Sequence, residues 1–316
     1  MTTPTADDPL LRYTDPSLAR PLPDALRAAR TDVLAAVREL RTILDASLAD
    51  PWRWKGGSEA EIRYGFYRIG ECFELASIEA QAAIRNAGLG RGRAAELIAP
   101  ATAARWDLQG LLIPLADTIW DLDPGGGEWT IRQTLGHVIA SQRGYGVGTA
   151  WWQHAGLRAD NPDLPLAPEA IFEDLPSEEA EADGTPAEVR DRLDDALEAA
   201  TERLAGLPED RLATAARWSG FAVDVGFRFG RWSSHLREHT IQVEKTLLML
   251  DHRPTEVDRL LRHILAAWGR AEAVVYGSRE AGDAGRILSA AAAEAHGTAT
   301  EVAGIARATS QTPATG

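Results

Sequence analysis

A single cysteine, Cys72, stands in a chain of 316 residues. No intrachain disulfide can form, and cysteine-built zinc motifs are excluded. Basic residues are also short: 33 Lys plus Arg face 47 Asp plus Glu, for a formal net charge of −14. No basic face emerges from that balance, so nucleic acid is not expected as a partner. No apolar run approaches the ~20 residues that span a bilayer. The first fifteen residues are polar and acidic, without the charged-then-apolar order of a secretory signal. A soluble, cytoplasmic protein without a membrane partner is expected. No Walker-type phosphate loop or dinucleotide fingerprint is present, and Gly125 to Gly127, after Asp123-Pro124, reads as a turn.

Strand signals are scarce, and helical ones run throughout. Leu22, Leu26, Ala29, Val33, Val37, Leu40 and Leu44 recur at three- and four-residue steps. Ser58 with Glu61 reads as a capping box opening a second helix, with Ile62, Phe66, Ile69 and Phe73 on one stripe. A third helix is predicted from Ala101 to Trp120, kinked or broken at Pro114. Thr130 and Gln133 cap the next, which fades near Trp151 and Trp152. Thr185, Pro186 and Glu188 open another, ending near Leu207-Pro208. Residues 218–230 read as a loop or short extended piece before a helix from Arg231 to about Leu250. Two more helices follow, Thr255 to Tyr276 and Glu280 to Ala306, and then a frayed tail. The fold class is all-α, with at least four long antiparallel helices around a common core. Three segments are expected: an N-terminal helical extension over 1–95, a central bundle over 96–252, and C-terminal helices with the tail over 253–316.

Between His154 and Thr185 lies an acidic stretch with Pro162, Pro165, Pro168 and Pro176. A connection this long is either functional or a solvated linker. Its prolines argue against a packed helix, and a place across the bundle end, as pocket wall or lid, is the functional expectation.

Chemistry concentrates on histidine. His235 and His239 are four apart on a strongly patterned helix, so both rings leave one face, which Gln242 and Thr246 continue. His137 sits early in its own helix behind Gly136, which lets another backbone come close. Three neutral imidazoles would leave a fourth ligand position open, as in catalytic metal sites. An i, i+4 pair also occurs on ordinary helices, and a single histidine is commonly a hydrogen-bonded core residue, so spacing alone does not join the three. Around them, Arg231, Arg237, Trp232, Gln142 and Tyr145 are candidates for substrate contact, and Arg132 and Arg143 lie nearby. Glu238 and Glu244 are candidates to orient the imidazoles, although helix glutamates and arginines are commonly surface charges. Cys72 has no histidine near it and no reason to act as a nucleophile.

The segment Trp129-Thr-Ile-Arg-Gln-Thr-Leu-Gly-His137-Val-Ile resembles the second-helix signature of the DinB/YfiT-like superfamily. His235-Leu-Arg-Glu-His239-Thr-Ile-Gln resembles that family's fourth-helix motif. The likeness covers about Ala101 to Leu250. It implies a four-helix bundle holding a divalent metal on His137, His235 and His239, with zinc favoured over nickel or iron, and the helices before residue 95 and after residue 255 are extra to that bundle. It implies an S-transferase joining a low-molecular-weight thiol, of the mycothiol or bacillithiol type, to a small electrophile. A metal-dependent hydrolase and a non-catalytic metal-binding or association protein stay open, as does a homodimer. The iron-binding domains of ergothioneine-forming sulfoxide synthases are also similar, but they carry glutamate where this chain has Ile241.

Overall fold

A computed structural model describes residues 9–157, 164–278 and 282–311. Its main elements, in order, are α1 (Asp24–Leu40), β1 (Pro51–Arg53), β2 (Glu59–Glu61), α2 (Ile62–Asn86), α3 (Arg93–Leu112), α4 (Ile131–Ala155), α5 (Glu178–Ala182), α6 (Pro186–Leu204), α7 (Glu209–Leu212), β3 (Ala215–Trp218), β4 (Phe221–Asp224), α8 (Val225–Met249), α9 (Glu256–Val275) and α10 (Gly282–Gln311). The fold is all-α, and among the described residues the strands form only two small antiparallel hairpins, β1 with β2 and β3 with β4. Among the described residues no helix is long and apolar enough to cross a membrane.

Two cores organise the helices. One gathers Ile98, Leu108, Leu135, Ile139, Leu193, Leu197, Trp232, Leu236 and Val243, from α3, α4, α6 and α8. The other gathers Leu26, Val33, Phe66, Phe73, Leu261, Trp268, Leu288 and Val302, from α1, α2, α9 and α10. The first and last helices of the chain therefore share one core. Helix α3 lies between the cores, packing on α8 to one side and on α9 to the other. Where they meet, Glu272 of α9 is fully buried and accepts from four donor groups. Arg30 of α1 holds it through Nε and Nη2, both at 2.8 Å, while Arg105 Nη2 and Trp106 Nε1 of α3 donate at 2.8 and 3.1 Å. Arg30 also pairs with Glu198 of α6, so the network spans four helices.

Local chemistry explains several boundaries. Thr130 caps α4 through a reciprocal bond pair with Gln133, and Thr185 caps α6 likewise with Glu188. Helix α6 stops at Leu204, short of Leu207-Pro208. The Ser58–Glu61 capping box does not form. Residues 51–61 fold back as the first hairpin, and α2 starts at Ile62 without a side-chain cap. Helix α3 begins at Arg93, well before Ala101, with Pro100 inside it, and Pro114 falls just past its end. Helix α4 runs on to Ala155, beyond the two tryptophans. Helix α8 starts at Val225, six residues before Arg231, because Asp224 Oδ1 accepts from the Phe227 amide at 2.7 Å and caps it. In the stretch from His154 to Thr185, Pro162 falls within residues 158–163, outside the described residues, as do the helix start at Glu280 and the tail after Gln311. The last part of that stretch forms α5, a short helix capped by Ser177 and packed on α4.

Candidate metal centre

Helices α4 and α8 run antiparallel along a shared seam. Thr246 Oγ1 donates to the Trp129 carbonyl at 3.3 Å near one end, Gln142 Nε2 to the Trp232 carbonyl at 3.2 Å, and Arg228 Nε to Thr149 Oγ1 at 3.1 Å toward the other. In that register the second turn of α4 faces the middle of α8. His137, His235 and His239 converge there, each offering one ring nitrogen, with all three nitrogens within 4.8 Å of one another.

The outer nitrogens of two rings are engaged. His137 Nδ1 lies 2.8 Å from Glu178 Oε1, and His239 Nδ1 lies 2.7 Å from Gln242 Oε1. Both partners are acceptors, so each Nδ1 donates and each Nε2 is left facing the centre. His235 Nε2 and His239 Nε2 stand 3.0 Å apart. Burial holds His235 well below the ordinary histidine range, at about 3, with His239, His137 and Arg231 adding to the effect. His239 is lowered too, chiefly by burial, against its bond to Gln242. Both rings are neutral at neutral pH, the form that ligates a metal.

This donor set fits a divalent ion. Ligand nitrogens at ~2.0–2.1 Å in a tetrahedral arrangement lie about 3.3 Å from one another, inside the range the three rings span. The second layer fits for His137 and His239, since metal-bound histidines donate their other N–H to a carboxylate or an amide or backbone oxygen, whereas His235 Nδ1 is buried without a partner among the described residues.

Aromatic rings wall the cluster. Trp129 lies 5.1 Å from His137, and Tyr145 stands 5.1 Å from His235 and 4.7 Å from Trp218. Beside His137 a groove of about 660 Å³ opens between α4 and α5, lined by Trp129, Arg132, Gln133, Glu178 and Asp183 among others. Helix α5 reaches this position because Gly136 has no side chain. A Cβ there would sit 2.4 Å from the Glu178 carbonyl oxygen and 2.9 Å from the Ala182 Cβ. The end of the proline-rich stretch thus forms one wall of the groove and supplies the acceptor for His137.

The other expected residues divide. Tyr145 borders the cluster. Arg231 lies on the histidine face but pairs with Glu238 at 3.1 Å, while Arg237 is exposed on the far side of α8. Trp232 and Gln142 are buried in the seam, packed rather than open to a groove. Arg132 is tied to Asp121 and to the carbonyls of Ala182 and Gly184, and Arg143 to Glu181. Glu238 and Glu244 do not orient the imidazoles; they serve Arg231 and Arg262. Glu178 and Gln242 hold that role. Nothing local in the sequence marks Glu178, which meets His137 from 41 residues away. Cys72 lies on α2 in the other bundle, its thiol directed at the Ala291 carbonyl and its pKa pushed up by burial to about 11.

A family model described as the DinB superfamily matches residues 101–243. No curated protein and no solved structure matches the chain. The capped turn ahead of His137 and both histidines of α8 fall inside the matched segment, so residues 101–243 form a segment of the DinB superfamily type.

Proposed function

We propose that the protein is a metal-dependent S-transferase that joins a low-molecular-weight thiol to a small electrophile, using zinc or a similar divalent ion on His137, His235 and His239. The observation that carries this reading is the convergence of three imidazole nitrogens within 4.8 Å, two with their outer nitrogens fixed by Glu178 and Gln242. A bound divalent ion with an open ligand position holds a thiol as thiolate near neutral pH. The protein supplies the rest. Glu178 and Gln242 lock the tautomers of His137 and His239, and burial keeps His235 unprotonated. Trp129 and Tyr145 flank the cluster, and the groove between α4 and α5 has room for a cosubstrate of a few hundred Å³. The cosubstrate sulfur forms the new bond to carbon, and the leaving group, or the oxygen of an opened epoxide, takes the displaced electron pair. No protein nucleophile is required, which agrees with the position of Cys72 in the other bundle.

The test has two stages. Elemental analysis of the purified protein should find about one divalent ion per chain, lost in His235→Ala and His239→Ala, because two imidazoles hold such an ion poorly. Metal-loaded protein should then consume mycothiol, bacillithiol or a related thiol in the presence of a chloroarene or an epoxide. Bound metal without thiol loss for any pair would overturn the transferase reading, and metal-dependent ester or amide cleavage would replace it with hydrolysis.

A further inference from the structure

Arg228, on the α4–α8 seam, is a charge that the metal centre does not account for. It is only 7% exposed, yet no carboxylate among the described residues pairs with it. The contrast within the chain is direct, because the buried Arg30 and Arg105 both hold Glu272. Buried charges are ordinarily paired, since removing an ion from water without a counter-ion costs several kcal/mol. The five N–H donors of a guanidinium are also poorly used here. Nε donates to Thr149 Oγ1 at 3.1 Å and Nη1 to the Arg217 carbonyl at 2.6 Å, while Nη2 finds no acceptor among the described residues. Nη2 lies instead against Gly148, where a Cβ would come within 2.7 Å. Burial lowers the Arg228 pKa to about 10, so the group still carries its charge at neutral pH.

The surroundings suit a planar organic anion. The indole of Trp218 stacks on the Arg228 guanidinium, 5.3 Å from its centroid, and the Phe172 ring also lies against Gly148, where an added Cβ would meet it at 3.5 Å. Tyr145 touches both Trp218 and His235, so Arg228 and the metal centre share one aromatic wall. Along α8, Arg228 stands seven residues before His235, about 10 Å by helical rise. Arg231, also against Trp218, is already neutralised by Glu238. One unmatched positive charge therefore remains, which matches a carboxylate better than a phosphate dianion.

We propose that Arg228 is a substrate-binding residue that takes the carboxylate of an aromatic or otherwise planar acid, and that this makes the electrophile of the reaction an organic acid. The substrate class rests on the transferase reading above; the binding site itself does not. Isothermal titration of the full chain with benzoate, and with benzamide as the uncharged isostere, measures it directly with and without metal. Benzoate should bind saturably and at least tenfold more tightly than benzamide in both conditions. Arg228→Gln should remove at least tenfold of that affinity. Arg228→Lys should also weaken it, because the planar two-donor fork is lost. Arg237→Gln, on the far side of α8, should leave it unchanged. Should Arg228→Gln fail to fold, Gly148→Ala displaces the guanidinium without removing charge and should weaken benzoate by a similar factor. Absence of saturable benzoate binding, equal affinity for benzamide, or wild-type affinity in Arg228→Lys and Gly148→Ala would each overturn the proposal. Benzoate binding without thiol transfer would leave the site standing and refute only the reaction.

Discussion

Replacing Gly136 by alanine tests how α5 is tied to the metal centre. The added Cβ would meet the Glu178 carbonyl oxygen at 2.4 Å and the Ala182 Cβ at 2.9 Å. Ordinary contacts of these kinds lie near 3.3 Å and 3.5–4.0 Å. Helix α5 must therefore retreat by about 1 Å, because five residues held by a serine cap and by the flexible side chains of Arg132, Arg143 and Arg192 yield before a 25-residue helix does. Alanine in place of glycine inside a helix stabilises it by about 1 kcal/mol. Overpacking typically costs about 1–3 kcal/mol. The net effect on stability is expected between about zero and 2 kcal/mol of destabilisation. Gly144→Ala on the same helix is the matched control, since nothing lies within 4 Å of its added Cβ. That variant should gain up to about 1 kcal/mol, and the difference between the two isolates the clash.

The larger consequence is for the metal. Glu178 Oε1 accepts from His137 Nδ1 at 2.8 Å, and a retreat of about 1 Å takes it beyond hydrogen-bond range. Loss of such an outer partner typically costs 10–100-fold in metal affinity. Competition titration of zinc against a chromophoric chelator should place Gly136→Ala and Glu178→Ala in that range and Gly144→Ala at wild type. Gly136→Ala binding zinc as tightly as Gly144→Ala would refute the account. So would a loss in Gly136→Ala that Glu178→Ala does not share, since the route would then not pass through Glu178.

Three further outcomes are expected. His235 in the metal-free fold has a pKa of about 3 against about 6.5 unfolded. The unfolded chain therefore binds the extra proton, so this stability is complete above about pH 6.5 and is lost as pH falls toward 3. Urea unfolding of the chelator-treated protein between pH 7.5 and 4.5 should show that decline, and an equally steep decline in His235→Leu would refute it. Glu272→Gln removes the fully buried carboxylate shared by Arg30 and Arg105, leaving them only Glu198 and Asp194, and should cost about 3–5 kcal/mol in urea unfolding, whereas a loss below about 1 kcal/mol would show the network to be dispensable. Cys72→Ser should leave thiol transfer unchanged in the loss-of-thiol assay, and dependence on Cys72 would overturn a mechanism in which the attacking sulfur belongs to the cosubstrate.

Elements whose determinants are local were legible in the sequence. The Thr130–Gln133 and Thr185–Glu188 pairs begin helices where they stand, because capping is settled within four residues. The shared face of His235 and His239 follows from helical geometry alone. What escaped depends on partners distant in the chain. Ser58 and Glu61 have the spacing of a cap, yet Trp52 is buried with its Nε1 donating to Glu301 of α10, and that anchor pulls residues 51–61 into a hairpin. The start of α3 is obscured because the helix is buried on two sides: Ala94, Ala95 and Ile98 face one core and Trp106 the other, so no single apolar stripe marks it. In the 221–227 region, alternation of Phe221, Val223, Val225 and Phe227 suggests extended chain, but the strand ends at Asp224, whose side chain caps α8.

The pairing of the first and last helices into one core bears on the site itself. Helix α8 carries two of the three histidines, and its later turns are held from outside the histidine bundle. Arg262 of α9 binds Asp107 of α3 at 2.8 and 3.0 Å and also pairs with Glu244 of α8, five residues after His239. That guanidinium fixes the spacing of α3 and α8 from the rear, as Glu272 fixes α1 and α3 against α9. The histidine face of α8 is thus set by α4 in front and by the second bundle behind. A centre needing three nitrogens placed to a few tenths of an ångström benefits from both constraints. Arg262→Ala should accordingly loosen zinc binding although it touches no imidazole. Because Asp107 and Glu244 are partly exposed, global stability should fall by no more than about 1 kcal/mol. The chelator titration and urea unfolding separate the two effects. Unchanged zinc affinity in Arg262→Ala would mean that α4 alone sets the histidine face and that the second bundle serves the fold without serving the site.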